Sequence, residues 1–269
     1  LEKDAHIFPI ETTKVYLQAN PLGKKGKGFQ GDALYAAENA PIGAVFSIYI
    51  KDKIKTLKDV RKEKEKEGNL DYPTALELVA EDNEAKPYLL IEIKNEEGKV
   101  IRRMKEKSFS GMKRVVWNYR HANADPVKLK QDDFKSGGRL AIPGQYSVSV
   151  IAVKDGVPST LIENKTFSIE PMYERYSTEE YAAMSKFHDE VEDIERVLWG
   201  LNEQINDQDK KLDYLIAAVK MVPEMDIKVL PEIQAMKKQL VDINISVNGN
   251  TSLSKREFET KTTIATRIG

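Results

Sequence analysis

From Gly43 to Pro171 short apolar runs alternate with turn residues and polar stretches. Ala44–Ile50 (AVFSIYI) is brief, apolar and rich in β-branched and aromatic residues, the pattern of a buried strand. Tyr88–Met104 reads as two strands around the turn cluster Asn95–Gly98. Arg114–Arg120 places Val115, Trp117 and Tyr119 on one face and Val116 and Asn118 on the other. Tyr146, Val148 and Val150 then alternate with Ser147 and Ser149, the period of two of a half-buried strand. Lys165–Pro171 (KTFSIEP) closes the series. Many short strands with turns between them, in about 130 residues, predict a β-sandwich. Two stretches break the pattern. Thr56–Glu67 and Pro73–Glu84 are built of helix formers, the second following Asp71 with Pro near its first turn, so a helical insertion is expected at about 56–85.

After Pro171 the period lengthens. Met184, Phe187, Val191, Ile194, Leu198, Leu201, Ile205, Leu212, Leu215, Val219 and Val222 lie three or four apart, interrupted only at Gln208. This is a heptad seam. Ser177 or Thr178, with Glu179 or Glu180 downstream, supplies an N-cap, and Pro223 ends the run. A second seam, Ile233, Met236, Leu240 and Ile243, begins beside Pro231. The pattern predicts a helical hairpin over 172–248, with breaks most expected at Gly200 or Asn206–Asp209. The first helix, at ~1.5 Å per residue, is about 66 Å long and the second about half that. Half of the first helix's apolar stripe therefore calls for another partner: the sandwich, a further C-terminal segment or another chain. Residues 1–43, with a Gly/Lys loop at Leu22–Gly31, read as a lead-in from a preceding domain. Residues 249–269 read as a polar tail, with the chain expected to continue. The expected class is α+β: an Ig/fibronectin-III-like β-sandwich with a helical insertion over 44–171, then a coiled-coil-like hairpin.

Composition narrows the function. In 269 residues, 42 Lys+Arg against 43 Asp+Glu leave a net charge of -1, which removes the field that nucleic-acid binding uses. There is no cysteine, which excludes disulfides, thiolate metal ligands and thiol nucleophiles. No apolar run approaches the ~18 residues of a membrane span. No signal peptide is visible, and opening on Leu1 rather than Met reads as a processed or excised piece.

Candidate chemistry is sparse. His6, His121 and His188 form no metal-binding helical pair. Glu179, Glu180, Glu190, Glu192, Asp193 and Glu195 sit on one predicted helix, where carboxylates form a solvated face rather than an opposed catalytic pair. Asp132-Asp133 lies in a long loop and lacks the spacing of a calcium loop. No G-x-S-x-G elbow or P-loop is present. The charge run Lys58–Glu67 alternates in sign, as a solvated helix surface does. Tyr16, Phe29, Tyr35, Tyr49 and Tyr72 offer either packing or an aromatic platform for a sugar. Met184, Met221, Met225 and Met236 lie on or near the helical seams. No catalytic, cofactor or metal site is expected.

Three strings together resemble a known family: Gly28–Asp52 (GFQGDALYAAENAPIGAVFSIYIKD), Gly98–Arg120 with Ala141–Val153, and Asn248–Gly269. They resemble the C-terminal region of bacterial, Bacteroidetes-type BNR-repeat or sortilin-like β-propeller proteins, loosely labelled glycosyl hydrolases. The middle block is also similar to the Ig-like domain of flagellar hook-capping proteins, through Gly111 to Trp117 and Pro143-Gly144-Gln145-Tyr146. That pattern implies a structural core of Trp117, Tyr146 and Val148 with a turn at Pro143-Gly144. The resemblance implies an N-terminal β-propeller on the same polypeptide and a periplasmic or extracellular location. The Trp117 and Pro143-Gly144 pattern, the heptad seams and the sparse candidate chemistry lead to the expectation of a non-catalytic module for spacing, docking or oligomerisation, with self-association through the helices. The alternative is a carbohydrate-binding accessory domain with a glycan ligand. The Asp-box repeats of the propeller are absent here, so no family activity maps onto these residues.

Overall fold

The computed structural model describes residues 3–16, 41–68, 71–127, 138–173 and 176–268. These fall into two compact units: residues 3–123 with 138–181, and residues 124–127 with 182–268. The protein is mixed α and β, and its described residues form two sheets and one long helix.

In the first unit the strands are β1 (Ala5–Ile7), β2 (Thr13–Val15), β3 (Ala44–Ile50), β4 (Tyr88–Asn95), β5 (Val100–Lys107), β6 (Gly111–Trp117), β7 (Gly144–Lys154) and β8 (Val157–Pro171). One sheet has the order β1-β3-β6, the other β2-β8-β7-β4-β5. Among the described strands all pairings are antiparallel except β2 with β8. Alternation does the sorting. On β3 Ala44, Phe46, Ile48 and Ile50 are buried while Val45 is exposed. Leu89, Ile91 and Ile93 of β4 and Tyr146, Val148 and Val150 of β7 join the same core. Aromatic rings from both sheets meet there: Phe46 lies 5.3 Å from Phe167, and Trp117 lies 5.6 Å from Tyr146. Each large apolar side chain so buried contributes about 1.5–3 kcal/mol before its entropy cost.

Residues 3–16 correct the expected lead-in. Ala5 pairs with Ile50 and Val15 with Pro171, and Ile7 and Val15 are core residues. Strands of three residues are too short to show a period of two, so only pairing reveals them. Leu22–Gly31 lies outside the described residues. Gly43 enters β3 with φ +148°, and a Cβ there would stand 2.3 Å from the Trp117 carbonyl oxygen. Only glycine allows that approach.

Between β3 and β4 run α1 (Leu57–Lys66) and α2 (Ala75–Asn83). Each opens with a capping box, Thr56 with Asp59 and Thr74 with Glu77. Neither helix has a buried residue. Polar contacts hold them instead: Arg61 grips Glu81 with two hydrogen bonds of 2.6 and 2.9 Å, and the Leu57 amide donates to Glu84.

The long helix α3 (Thr178–Met221) has 44 residues. Ser177 and Glu180 cap it reciprocally. It runs unbroken through Gly200 and Asn206–Asp209, since packing outweighs a propensity cost of about 1 kcal/mol. Beyond Pro223 a 3-10 turn at Ile227–Val229 leads into α4 (Leu230–Asn248), with Pro231 in its first turn. The expected polar tail holds two short helices, α5 (Thr251–Ser254) and α6 (Ile264–Ile268), and α6 folds back on α4. Among the described residues no helix is long and apolar enough to cross a membrane.

Candidate functional site

Trp117 is fully buried and donates its indole N–H to the Arg120 carbonyl at 2.8 Å. Tyr146 is buried beside it and donates its hydroxyl to the Ile142 carbonyl at 2.6 Å. Burial pushes the Tyr146 phenol up to about 12, with Arg139 opposing the shift. Val148 is fully buried, while Pro143 and Gly144 are half-buried at the entry to β7. These residues pack and bond to backbone; they present nothing to a ligand.

The ionisable candidates do not converge. His6 stacks edge-on against Phe8, His121 is buried, and its carbonyl accepts from Arg102. His188 is half-buried on α3. Glu192 and Asp193 pair with Arg196 along the helix surface, at 2.9 and 3.6 Å. The Glu179 carboxyl lies below its usual range because helix N-terminal groups donate to it. Among the described residues no three side chains of metal-ligating type stand together. Asp132-Asp133 lies outside the described residues.

Among the described residues the first unit carries two open grooves of note. One, of about 480 Å³ between α1 and α2, is lined by Tyr72, Val60, Arg61, Lys64 and Glu77. Tyr72 is 88% exposed there, but neither Tyr16 nor Tyr49 lines the groove. Phe29 and Tyr35 lie outside the described residues. Arg61 is held well above its ordinary range by Glu81 and Glu65, so its charge is already committed. The second groove, of about 700 Å³, lies where β5 and β6 end their sheets and carries Lys86, Lys105, Lys107 and Arg114 around Tyr88 and Val116. Lys105 already sits 4.6 Å over the Tyr88 ring.

The helical hairpin departs from the expected seam in an informative way. Leu198, Ile205 and Val219 of α3 and Ile233 and Val247 of α4 are buried; Leu212 and Leu240 are half-buried on the same lines. The other half of the expected seam is not buried. Phe187, Ile194, Leu201 and Leu215 are 62, 51, 39 and 45% exposed, and Val191 is half-buried. The helices are turned so that polar residues meet instead. Lys237 bonds Asp209 at 3.0 Å and Asp213 at 2.5 Å, and Asn248 donates to Asn202 at 2.7 Å. Periodicity of apolar residues cannot detect Asn202, Asp209 or Lys237 as contact residues. The available signal was their seven-residue spacing from 202 to 209, one helical step past Leu198 and Ile205.

No family model matches the chain, and no curated protein matches it significantly.

Proposed function

We propose that this chain is a non-catalytic structural and interaction module, with the helical hairpin as its contact element. The observation that carries the reading is the heptad-spaced apolar ridge Ile194, Leu201 and Leu215, 39–51% exposed beside the buried line Leu198, Ile205 and Val219. Exposed apolar ridges of this length mark interaction surfaces. The scattered ionisable groups described above support the non-catalytic part.

We read the sheets as an Ig/fibronectin-III-like sandwich. The reading is supported by the strand orders β1-β3-β6 and β2-β8-β7-β4-β5 and by the shared aromatic core. It is supported further by the Tyr146 hydroxyl reaching back four residues to a carbonyl, the arrangement called a tyrosine corner. The module would follow an N-terminal β-propeller on an exported, periplasmic or extracellular polypeptide; this part rests on the resemblance of the three strings alone. Peptide mapping upstream of Leu1 in the native gene product tests that context, and an absence of propeller blades overturns it. The purified chain is expected to turn over no aryl glycoside or peptide substrate. Turnover that co-purifies with the chain and disappears on substituting one of its carboxylates sinks the non-catalytic reading.

A second reading, a carbohydrate-binding accessory domain, is favoured by one observation, the 88% exposed Tyr72 in the α1/α2 groove. Retardation in polysaccharide gels, lost in Tyr72→Ala, is its expected signature.

A further inference from the structure

The α3/α4 hairpin is closed on one side and open on the other. Four residues after Leu198, Ile205, Ile233 and Leu240 the two helices carry the polar groups Asn202, Asp209, Lys237 and Asn244. The cross-helix bonds lie here. Four residues before the contact line, both helices are apolar except at Gln208. On α3 these are Ile194, Leu201 and Leu215, before Leu198, Ile205 and Val219. On α4 they are Met236 and Ile243, 52 and 47% exposed, before Leu240 and Val247. The offset has the same sense on each helix. The bonds also show the pair to be antiparallel, since Asn248 meets Asn202 while Lys237 meets Asp209 and Asp213. In an antiparallel pair, equal offsets of the same sense turn both ridges to one side. The hairpin therefore presents a two-ridged apolar face with its polar ties behind.

We propose that a second copy of this chain covers that face, forming an antiparallel four-helix bundle about a two-fold axis through Gln208. The proposal rests on the reading of the hairpin as an interaction element and names its partner. The α3 ridge has the same character in both directions about Gln208. Leu201 and Leu215 lie seven residues to either side, and Ile194 and Val222 fourteen. A two-fold axis at Gln208 sets Leu201 on Leu215 of the second copy and Ile194 on Val222. Such a self-complementary patch is what an isologous interface requires. Gln208, the one polar residue on the ridge between Ile194 and Val222, falls on the axis, where each amide offers a donor and an acceptor to the other. A single buried amide of this kind fixes register.

The α4 ridge shares the axis. The cross-helix bonds set Leu240 abreast of Gln208, and Met236 and Ile243 flank Leu240. Charge fixes the direction. From Lys186 to Asp209, α3 carries eight acids and only Lys186 and Arg196 as bases. From Lys210 to Lys220 it carries Lys210, Lys211 and Lys220 against Asp213. Antiparallel pairing about Gln208 sets the acidic half of one helix against the basic half of the other; parallel pairing opposes like charges. All neighbouring helices in the resulting bundle run antiparallel.

The test uses the full chain, which has no native cysteine to interfere. Sedimentation equilibrium is expected to give twice the chain mass, and Leu201→Glu to give the chain mass with unchanged helical circular dichroism. Gln208→Cys is expected to cross-link to itself with a short bis-maleimide. Ile194→Cys is expected not to self-link, but to link when mixed with Val222→Cys. A chain that sediments as a monomer up to its highest soluble concentration overturns the proposal. So does a monomer whose ridge binds a Lys-flanked amphipathic peptide, since another partner then fills the face. A dimer in which Ile194→Cys self-links and Gln208→Cys does not overturns the antiparallel register. None of these results touches the non-catalytic reading, which turnover assays decide separately.

Discussion

Trp117 shows how much one residue contributes to the sheet unit. It touches Tyr119, Tyr146 and Phe167 edge-on at 5.6–6.1 Å and has its N–H satisfied by a backbone carbonyl. Trp117→Ala removes those contacts and leaves a cavity, so a loss of about 3–5 kcal/mol is expected in urea unfolding. Gly43→Ala acts by the opposite route: its new methyl meets the Trp117 carbonyl at 2.3 Å, and a loss of about 1–3 kcal/mol is expected in the same measurement. Tyr146 gives a pH signature. Its folded pKa, about 12, lies above the ordinary value near 10 for an unfolded phenol. The folded state therefore keeps a proton that the unfolded chain has released. Stability from this group is complete below about pH 10 and falls as pH rises toward 12, by up to ~1.4 kcal/mol per pH unit. Tyr146→Phe should flatten that alkaline slope in pH-dependent thermal melts, at a constant cost of about 1–2 kcal/mol for the lost hydrogen bond. An unchanged slope would assign the alkaline transition to other groups, Tyr119 first, whose phenol burial also raises.

At the scale of elements, periodicity located strands and helices well and faces less well. The alternation at Tyr146, Val148 and Val150 identifies β7, and the three-four spacing after Pro171 identifies α3, because both depend on local geometry. The β7–β8 hairpin carries its signal in Asp155-Gly156 and not in strand periodicity. Both residues have positive φ, 51° and 78°, as a two-residue hairpin turn demands. On α3 the expected seam merged two lines that the structure separates. Leu212 lies on the line facing α4, whereas Leu215 lies on the exposed ridge. The two substitutions therefore part company. Leu212→Asp should destabilise the hairpin by about 2 kcal/mol or more, read from the 222 nm melt. Leu215→Asp should leave the hairpin of a single chain folded, acting instead on association.

At the scale of the whole molecule, two tryptophans offer separate reporters: Trp117 is buried in the sheet unit, and Trp199, 41% exposed, lies on α3. Thermal unfolding of a Trp199→Phe variant, followed by Trp117 fluorescence for the sheets and by 222 nm circular dichroism for the helices, is expected to give distinct midpoints, with Leu212→Asp lowering only the helical transition. Coincident midpoints that move together would show one cooperative unit.

Strand and helix content, the insertion between β3 and β4, and the capped start of α3 were legible in the chain, because each depends on residues within one or two turns of one another. The three-residue strands β1 and β2 were not, since their partners lie some forty and some hundred and fifty residues away and their own length carries no period. Nor was the rotation of α3 against α4. An a/d pattern specifies that a helix has an apolar stripe; which flank of that stripe meets the neighbour depends on Lys237 reaching Asp209 and Asp213 and on Asn248 reaching Asn202. The amino-acid sequence by itself determined the elements and the amphipathic faces, through local sterics and burial. Only the tertiary structure decided which apolar ridge was left open, because that choice belongs to polar contacts between residues distant in the chain.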